Sequence, residues 1–298
     1  MPKVLKSSSV RRSVRAEYLV VVSEPDPVAH RVADRWGTPP AVGLHVDGSA
    51  LRRLGPESLL LRRPLRHVDD ERLDDRLPGE LRTANVTLVF PSIHRSEQNV
   101  PCLTVHPLGN LGTTAEVGGR PRTVNPTDPR RMAAALRRLA AEARPLGLPA
   151  TFEATHHGPE LALPSFFVEI GFGADSAPPD GAVDLLARVL VDLVPDPRDR
   201  VGVAVGGGHY APHFTELTLR RRWAFGHIIS RHALADLDRP TARSAFDRTP
   251  EAQGLVLARA EDEHHPSLRG LGVRMRDSDA PLRDASEAAT VVRPASGT

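Results

Sequence analysis

Short apolar runs alternate along the chain with polar, turn-rich connections, and two longer stretches carry a helical period. Residues 18–22, Tyr-Leu-Val-Val-Val, read as a buried strand, followed by Ser-Glu-Pro-Asp-Pro and a helical pattern over 28–36. Strand, polar loop and helix in that order form the opening unit of an α/β sheet. Runs at 41–46, 58–61, 86–90, 102–105, 151–155, 166–170 and 201–205 are also short and bounded by turn residues, so they predict strands. A weaker run at 254–258 predicts one more. Asp128 and Pro129 suit the N-cap and first position of a helix over 130–144, where Met132, Leu136, Leu139 and Ala143 share one face. A second helix is expected over 181–194, stopped by Pro195 and Pro197. Residues 62–80, rich in Arg and Asp, are expected to be an exposed connection. The pattern predicts one α/β domain over 17–284, its mostly parallel mixed sheet flanked by helices.

Several of these strands run into the same kind of residue. The 86–90 run leads to Ser92, His94, Arg95 and Ser96, and the 102–105 run leads straight to His106. The 151–155 run meets His156 and His157, and the 201–205 run meets Gly206, Gly207, Gly208 and His209. Ligands of open parallel sheets bind beyond the carboxyl ends of the strands, so four such junctions predict one histidine-lined cleft. Glu169 sits inside the 166–170 run, where an ionised carboxylate requires a metal, a cation or several donors. Three or four histidines with one glutamate match a zinc or similar divalent site by ligand type, although their spacing follows no fixed motif. The glycines before His209 either bring backbone N–H groups close to a ligand or make a tight turn. His106 either serves the cleft or hydrogen-bonds its own turn, and His227 either faces the cleft or caps a helix.

Composition narrows the class. No apolar run approaches the roughly 18 residues of a membrane span. Cys102 is the single cysteine, which excludes an intrachain disulfide and a cysteine-built zinc site, and fits a reducing compartment. Residues 1–16 hold Lys3, Lys6, Arg11, Arg12 and Arg15 with no acidic residue. Removing those five from 39 basic residues leaves 34 against 37 acidic, so the body is slightly acidic and the basic pI belongs to the tail. Residues 1–16, whose Arg- and Ser-rich, acid-free character also resembles an organellar targeting segment, are expected to be a disordered tail, since such composition buries too little apolar surface to order itself. Residues 285–298 are expected to be disordered too.

Taken together, SIHRS, TVHPLGN, EATHHGP, PSFFVEIG, VGGGHYAPHFT and GHIISRHAL resemble the archaeal and plant type of D-aminoacyl-tRNA deacylase. The likeness runs from the opening strand to about residue 235. After SIHRS the chain reads Glu97-Gln-Asn99 where that family has Ser-Gly. The resemblance implies a phosphorylase/hydrolase-like α/β fold and a Zn2+-dependent hydrolysis of the ester between a D-amino acid and the tRNA 3′ end. On that reading His94, His156 and Glu169 are the expected metal ligands or their supports, and His157 or His209 is the general base. Consecutive residues on extended backbone point to opposite sides, so His156 and His157 are expected to play different roles. Ser92, Arg95, Ser96, His106, His227 and Gly206, Gly207 and Gly208 are expected at the substrate, the glycines as oxyanion donors.

The expected partner is aminoacylated tRNA, bound by a cytoplasmic monomer with no membrane attachment. An acidic body confines RNA binding to local basic patches. Arg220, Arg221 and Arg222 are the leading set, with Arg62, Arg63 and Arg66, or Arg130, Arg131, Arg137 and Arg138, as alternatives. Preference for the D-enantiomer is expected from a rigid wall, for which the turns at 156–159 and 206–209 are suited. Two other classes use the same residues: a metal-dependent amidohydrolase or peptidase acting on small N-substituted amino acids, and a non-catalytic RNA-binding protein.

Overall fold

All six residues of β1 (Tyr18–Ser23) are buried, which places this strand in the middle of a sheet covered on both faces. The structure, a computed structural model, describes residues 14–95, 101–173, 176–271 and 273–274. Asp26 caps α1 (Pro27–Arg35) by accepting from the N–H groups of Val28 and Ala29. A meander of β2 (Ala41–Val46), β3 (Ser49–Arg53) and β4 (Ser58–Arg63) then returns the chain beside β1. Two 3-10 turns and α2 (Gly79–Thr83) lead to β5 (Thr87–His94) and β6 (Cys102–Pro107). The two-residue strands β7 (Gly109–Asn110) and β8 (Thr123–Val124) precede α3 (Pro129–Glu142), β9 (Ala150–Phe152) and β10 (Ser165–Gly171). The last third comprises α4 (Asp180–Val191), β11 (Arg200–Val205), α5 (Pro212–Arg221), β12 (Trp223–Ile229), α6 (Arg231–Leu234), α7 (Arg239–Asp247), β13 (Gly254–Leu257) and β14 (Val273–Arg274).

Eight strands form one sheet in the order β2-β3-β4-β1-β5-β10-β6-β9. Its centre, β4-β1-β5-β10, is parallel, whereas β6 runs antiparallel to β10 and carries β9 parallel to itself. A second, wholly parallel sheet has the order β12-β11-β13-β14. The helix α3 joins them: it packs against β6, β9 and β12, and against α4 and α5. Side-chain alternation divides the large sheet into two faces. Val20, Val22, Val89, Phe166, Val168 and Ile170 bury against the helices on one face. Leu19, Val21, Leu88, Phe90 and Phe167 form a smaller core on the other.

The α/β class and the elements read from periodicity are all present. Asp128 caps α3 as expected, accepting from the N–H of Arg131. Four features differ. The strands divide between two principal sheets, because 201–205 pairs with β12 and β13 and not with the large sheet. β12, with all seven residues buried, is read poorly from sequence because Gly226 and His227 interrupt its apolar run. Residues 62–80 are not an exposed connection: His67, Asp70, Leu73, Asp74 and Leu77 are buried, and Arg63 pairs with Asp70 beneath the surface. Val14 and Ala16, the end of the basic segment, pack against the smaller core. Residues 1–13 and 285–298 lie outside the described residues.

Candidate active site

The register explains why distant histidines meet. Across β10, Phe167 pairs with Phe90 and His106, Glu169 with Ser92 and Thr104, and Gly171 with His94 and Cys102. Paired residues share a face, so Ser92, His94, Glu169 and His106 all project from the face opposite α1, α3 and α4. They converge through this alternation and not through a common strand end. His106 arrives on an antiparallel strand, two positions deeper along β10 than Glu169.

The second sheet closes the site from the side. Beyond β9 the chain bonds to both sheets: Glu153 N donates to Val105 O, Ala154 N to His209 O, and Thr155 N to Ile228 O. Glu153 thereby lands beside Glu169 and opposite Tyr210. It is completely buried, 2.9 Å from His94 Nδ1 and 3.8 Å from both His209 Nε2 and His156 Nε2. His94 Nδ1 also lies 3.3 Å from Glu169 Oε2, and its Nε2 lies 2.8 Å from the Tyr210 hydroxyl. His157 has a positive φ of 40°, so the two adjacent imidazoles do not diverge as extended backbone requires. Both rings turn toward His106, with centroids at 4.0 Å for His156 and 4.9 Å for His157. That corrects the expectation that they point to opposite sides.

Three of the imidazoles are oriented alike. The Nδ1 atoms of His106, His156 and His157 contact the backbone carbonyls of Pro107, Ala154 and Gly158 at 3.2, 2.8 and 2.8 Å. A neutral ring that donates Nδ1–H to a carbonyl presents Nε2 as a lone pair, as His156 and His157 do, the arrangement commonly seen behind metal-binding histidines. Burial, and then the charge of His106, hold His157 down at about 4 and His156 well below the ordinary imidazole range. Burial opposes charge on His94 too, but Glu153 and Glu169 outweigh it and push the ring up to about 10. Burial would raise Glu169; the imidazoles of His106 and His94, 3.7 and 3.3 Å away, hold its carboxyl well below the usual carboxylate range. Burial, reinforced by Glu153, pushes the Cys102 thiol up to about 12, which leaves it inert as a nucleophile.

His94, His156, His157 and His209 line an open cleft of about 450 Å³ together with Ser92 and Arg95, while His106 and Glu153 lie fully buried behind them. Glu169 lines it as well. Other expected residues lie elsewhere. His227 is fully buried at the junction of the sheets, its Nε2 2.9 Å from Asn125 O and its Nδ1 3.1 Å from Thr155 Oγ1, so it neither faces the cleft nor caps a helix. Gly206, Gly207 and Gly208 do not appear in the lining. Gly206 donates its N–H to Ile229 O, and with φ values of 106° and 79° Gly206 and Gly207 turn β11 toward His209. Arg220, Arg221 and Arg222 end α5, about 15 Å along the helix from its start near Tyr210. Arg222 pairs with Asp196 there. Arg62 pairs with Glu24, Arg130 with Glu251, Arg137 with Asp199 and Arg138 with Glu142, and Arg63 and Arg131 are buried ion-pair members. Ser96 lies outside the described residues.

Glu153 and Tyr210 are absent from the sequence expectations. Residues 151–155 read as one apolar run, yet Thr151, Glu153 and Thr155 alternate with Phe152 and Ala154, and that period of two sets Glu153 on the face that Thr104 and His106 share.

The donor set fits a divalent cation. Two buried carboxylates, Glu153 and Glu169, share one cationic neighbour, His94, at 2.9 and 3.3 Å, and Nε2 of His106 has no hydrogen-bond partner. One imidazolium leaves a buried negative charge over, which is costly unless a further cation compensates it. Three overlapping donor groups lie within 4.8 Å internally: His106, His156 and His157; His94, Glu153 and His209; and His106, Glu153 and Glu169. Imidazole with carboxylate is a donor set suited to zinc.

An α/β scaffold with a histidine- and carboxylate-lined cleft defines a hydrolase-like class, and sequence comparison specifies it. The profile of the D-aminoacyl-tRNA deacylase family matches residues 82–270. A D-aminoacyl-tRNA deacylase of Thermoplasma volcanium is 38% identical over 66% of this chain and 73% of its own length. One from Pyrococcus abyssi is 32% identical over 72% of this chain and 74% of its own. A crystal structure of a conserved protein of unknown function superposes with a TM-score of 0.72 at 27% identity, covering 93% of both chains. The chain belongs to the D-aminoacyl-tRNA deacylase family.

Proposed function

We propose that this protein hydrolyses the ester bond of D-aminoacyl-tRNA, releasing the D-amino acid and free tRNA. The observation that carries the proposal is the donor cluster: two buried carboxylates and five imidazoles gathered at and just behind the base of a cleft open to solvent. Zn2+ is the cofactor we propose there; ligands drawn from His106, His156, His157, Glu153 and Glu169 would hold it, with His94 supporting the two carboxylates. When bound, the ion supplies Lewis acidity. His209 is then the better placed of the two expected bases. Its side chain is half exposed, whereas His157 is packed against His106, and burial keeps the His209 imidazole below its ordinary value and therefore neutral at physiological pH. It accepts the proton of the attacking water, a role that typically contributes 10²–10⁴-fold. Tyr210 holds Nε2 of His94, which fixes that ring against the two carboxylates.

Chirality enters as shape, since the ester chemistry is the same for either enantiomer. The 156–159 turn forms part of that wall, braced by Gly158 N donating to Val117 O. Among the described residues no helix is long and apolar enough to cross a membrane, and we place the reaction in the cytoplasm on a monomer. Incubating the protein with matched D- and L-aminoacyl-tRNAs tests the reading. We expect faster release from the D-substrate, abolished by a chelator and restored by Zn2+. Equal rates on the two enantiomers would overturn it.

A further inference from the structure

The donor floor occupies only one half of the cleft. The other half lies over the carboxyl ends of β4, β1 and β5, three neighbouring strands. Arg66 stands just past β4 and Arg95 just past β5, on either side of the loop that follows β1, and both line the cleft. Two strand spacings put their backbones about 10 Å apart. Between them the wall is apolar, made by Pro25, Pro27, Val68 and a half-exposed Val117. Behind it Ser23 is fully buried and its Oγ has no partner. We propose that this half seats the terminal nucleoside of the charged tRNA, and that Arg66 and Arg95 hold the phosphodiester entering it. The proposal rests on the deacylase reading above.

Size, order and charge support it. About 450 Å³ accommodates an aminoacyl nucleoside but not a base-paired stem, so only the chain end enters. The ester must reach the donor floor. Its ribose and base therefore lie one step outward, and the first phosphodiester lies one ribose further, at the rim where the arginines stand. Arg95 is exposed, and the Arg66 side chain is 67% exposed with Asp69 as its partner. A surface pair of that kind is worth little, so exchange of Asp69 for a phosphate is easy, and guanidinium binds phosphate in two-pronged fashion. The carboxylate nearest the wall, Asp26, has both oxygens occupied, by Val28 and Ala29 N–H on one and by Ser92 Oγ and Ile93 N–H on the other. Proline and valine faces stack on a base without reading its edge, which suits a terminus common to all tRNAs.

The test compares D-aminoacyl-tRNA with the corresponding D-aminoacyl-adenosine ester, which lacks phosphate. In Arg66→Ala and Arg95→Ala, the ratio of kcat/KM for the tRNA to that for the adenosine ester should fall about tenfold each, with the change in KM. Arg95→Lys should restore part of the ratio, and Asp69→Ala should tighten binding through Arg66. Fluorescence titration with an uncharged RNA oligonucleotide bearing the tRNA 3′ sequence supplies a readout without chemistry. Each arginine removed should lower the slope of log affinity against log salt by about 0.7. A wild type that binds this RNA through the arginines but hydrolyses neither ester would end the deacylase reading and keep the subsite. Hydrolysis with an unchanged ratio in both arginine variants would overturn the subsite.

Discussion

The junction between the two sheets and the floor of the cleft each enclose a histidine with no exposed surface, His227 and His106. Around His227 every polar group is answered: Thr155 and Asn125 take the ring nitrogens, and Thr249 Oγ1 accepts from its backbone N–H. Around His106 the bonding is left incomplete: its Nε2 has no hydrogen-bond partner, and Glu153 and Glu169 share the single cation His94. Burial therefore does not separate a structural histidine from a working one. What separates them is whether the folded chain supplies partners by itself or leaves them for something it binds.

The comparison is broken most easily at Glu153. Glu153→Gln should lower deacylation at least about 10²-fold and reduce bound zinc, measured by metal analysis of the purified protein. In chelator the same variant should melt at a higher temperature than the unsubstituted protein, because one of two buried carboxylates sharing the single His94 charge has gone and Glu169 still pairs that ring. A lower melting point in chelator would make Glu153 a structural anchor like His227 and erase the distinction.

At the junction the opposite pattern is expected. His227→Ala should cost about 2–4 kcal/mol in urea unfolding, from the cavity and the stranded Asn125 and Thr155 groups, while kcat stays within about threefold. Loss of activity without loss of stability would place His227 in the reaction after all. Its titration sharpens the point, because burial keeps His227 at about 4 in the folded protein. The unfolded chain takes up that proton near pH 6.5, so the folded state loses stability as pH falls from about 6.5 to about 4, on the order of 3 kcal/mol. His227→Gln should remove that share of the acid sensitivity, seen as a flatter urea midpoint between pH 7 and 4.5. The smallest effect belongs to Cys102, 4.0 Å from the Tyr210 hydroxyl with its thiol held protonated. Cys102→Ser should leave deacylation within about threefold, and a thiol-alkylating reagent should not inactivate the folded protein.

The strands and long helices were legible because each repeats a simple period, as α3 does with Asp128 before it. Glu169 was legible for the same reason: a carboxylate interrupting Phe166-Phe-Val-Glu-Ile170 stands out. Glu153 carries an equal signal, weakened because Thr151 and Thr155 resemble apolar β-branched neighbours in a short run. The left-handed turn at His157 has no local mark, since histidine adopts it only where surrounding packing insists. The closed environment of His227 depends on Asn125 and Thr249, 102 and 22 residues away, and no pattern within β12 announces them. Arg131 and Arg137 look like a basic patch in one dimension and turn out to be members of ion pairs, Arg131 as the buried half with Glu17 and Arg137 over the buried Asp199.

The position of β10 between β5 and β6 has a consequence for how the protein is made. A ribosome delivers His94 and His106 early, but the strand that belongs between them arrives some sixty residues later, and His209 later still. Until β10 inserts, β5 and β6 have no common neighbour and the nascent chain exposes two unpaired strand edges. Contacts between positions so far apart in sequence form slowly, and the edges waiting for them are open to wrong partners. His94 and His106 therefore emerge before Glu153 and Glu169, and the donor floor comes into being only when most of the polypeptide has been synthesised.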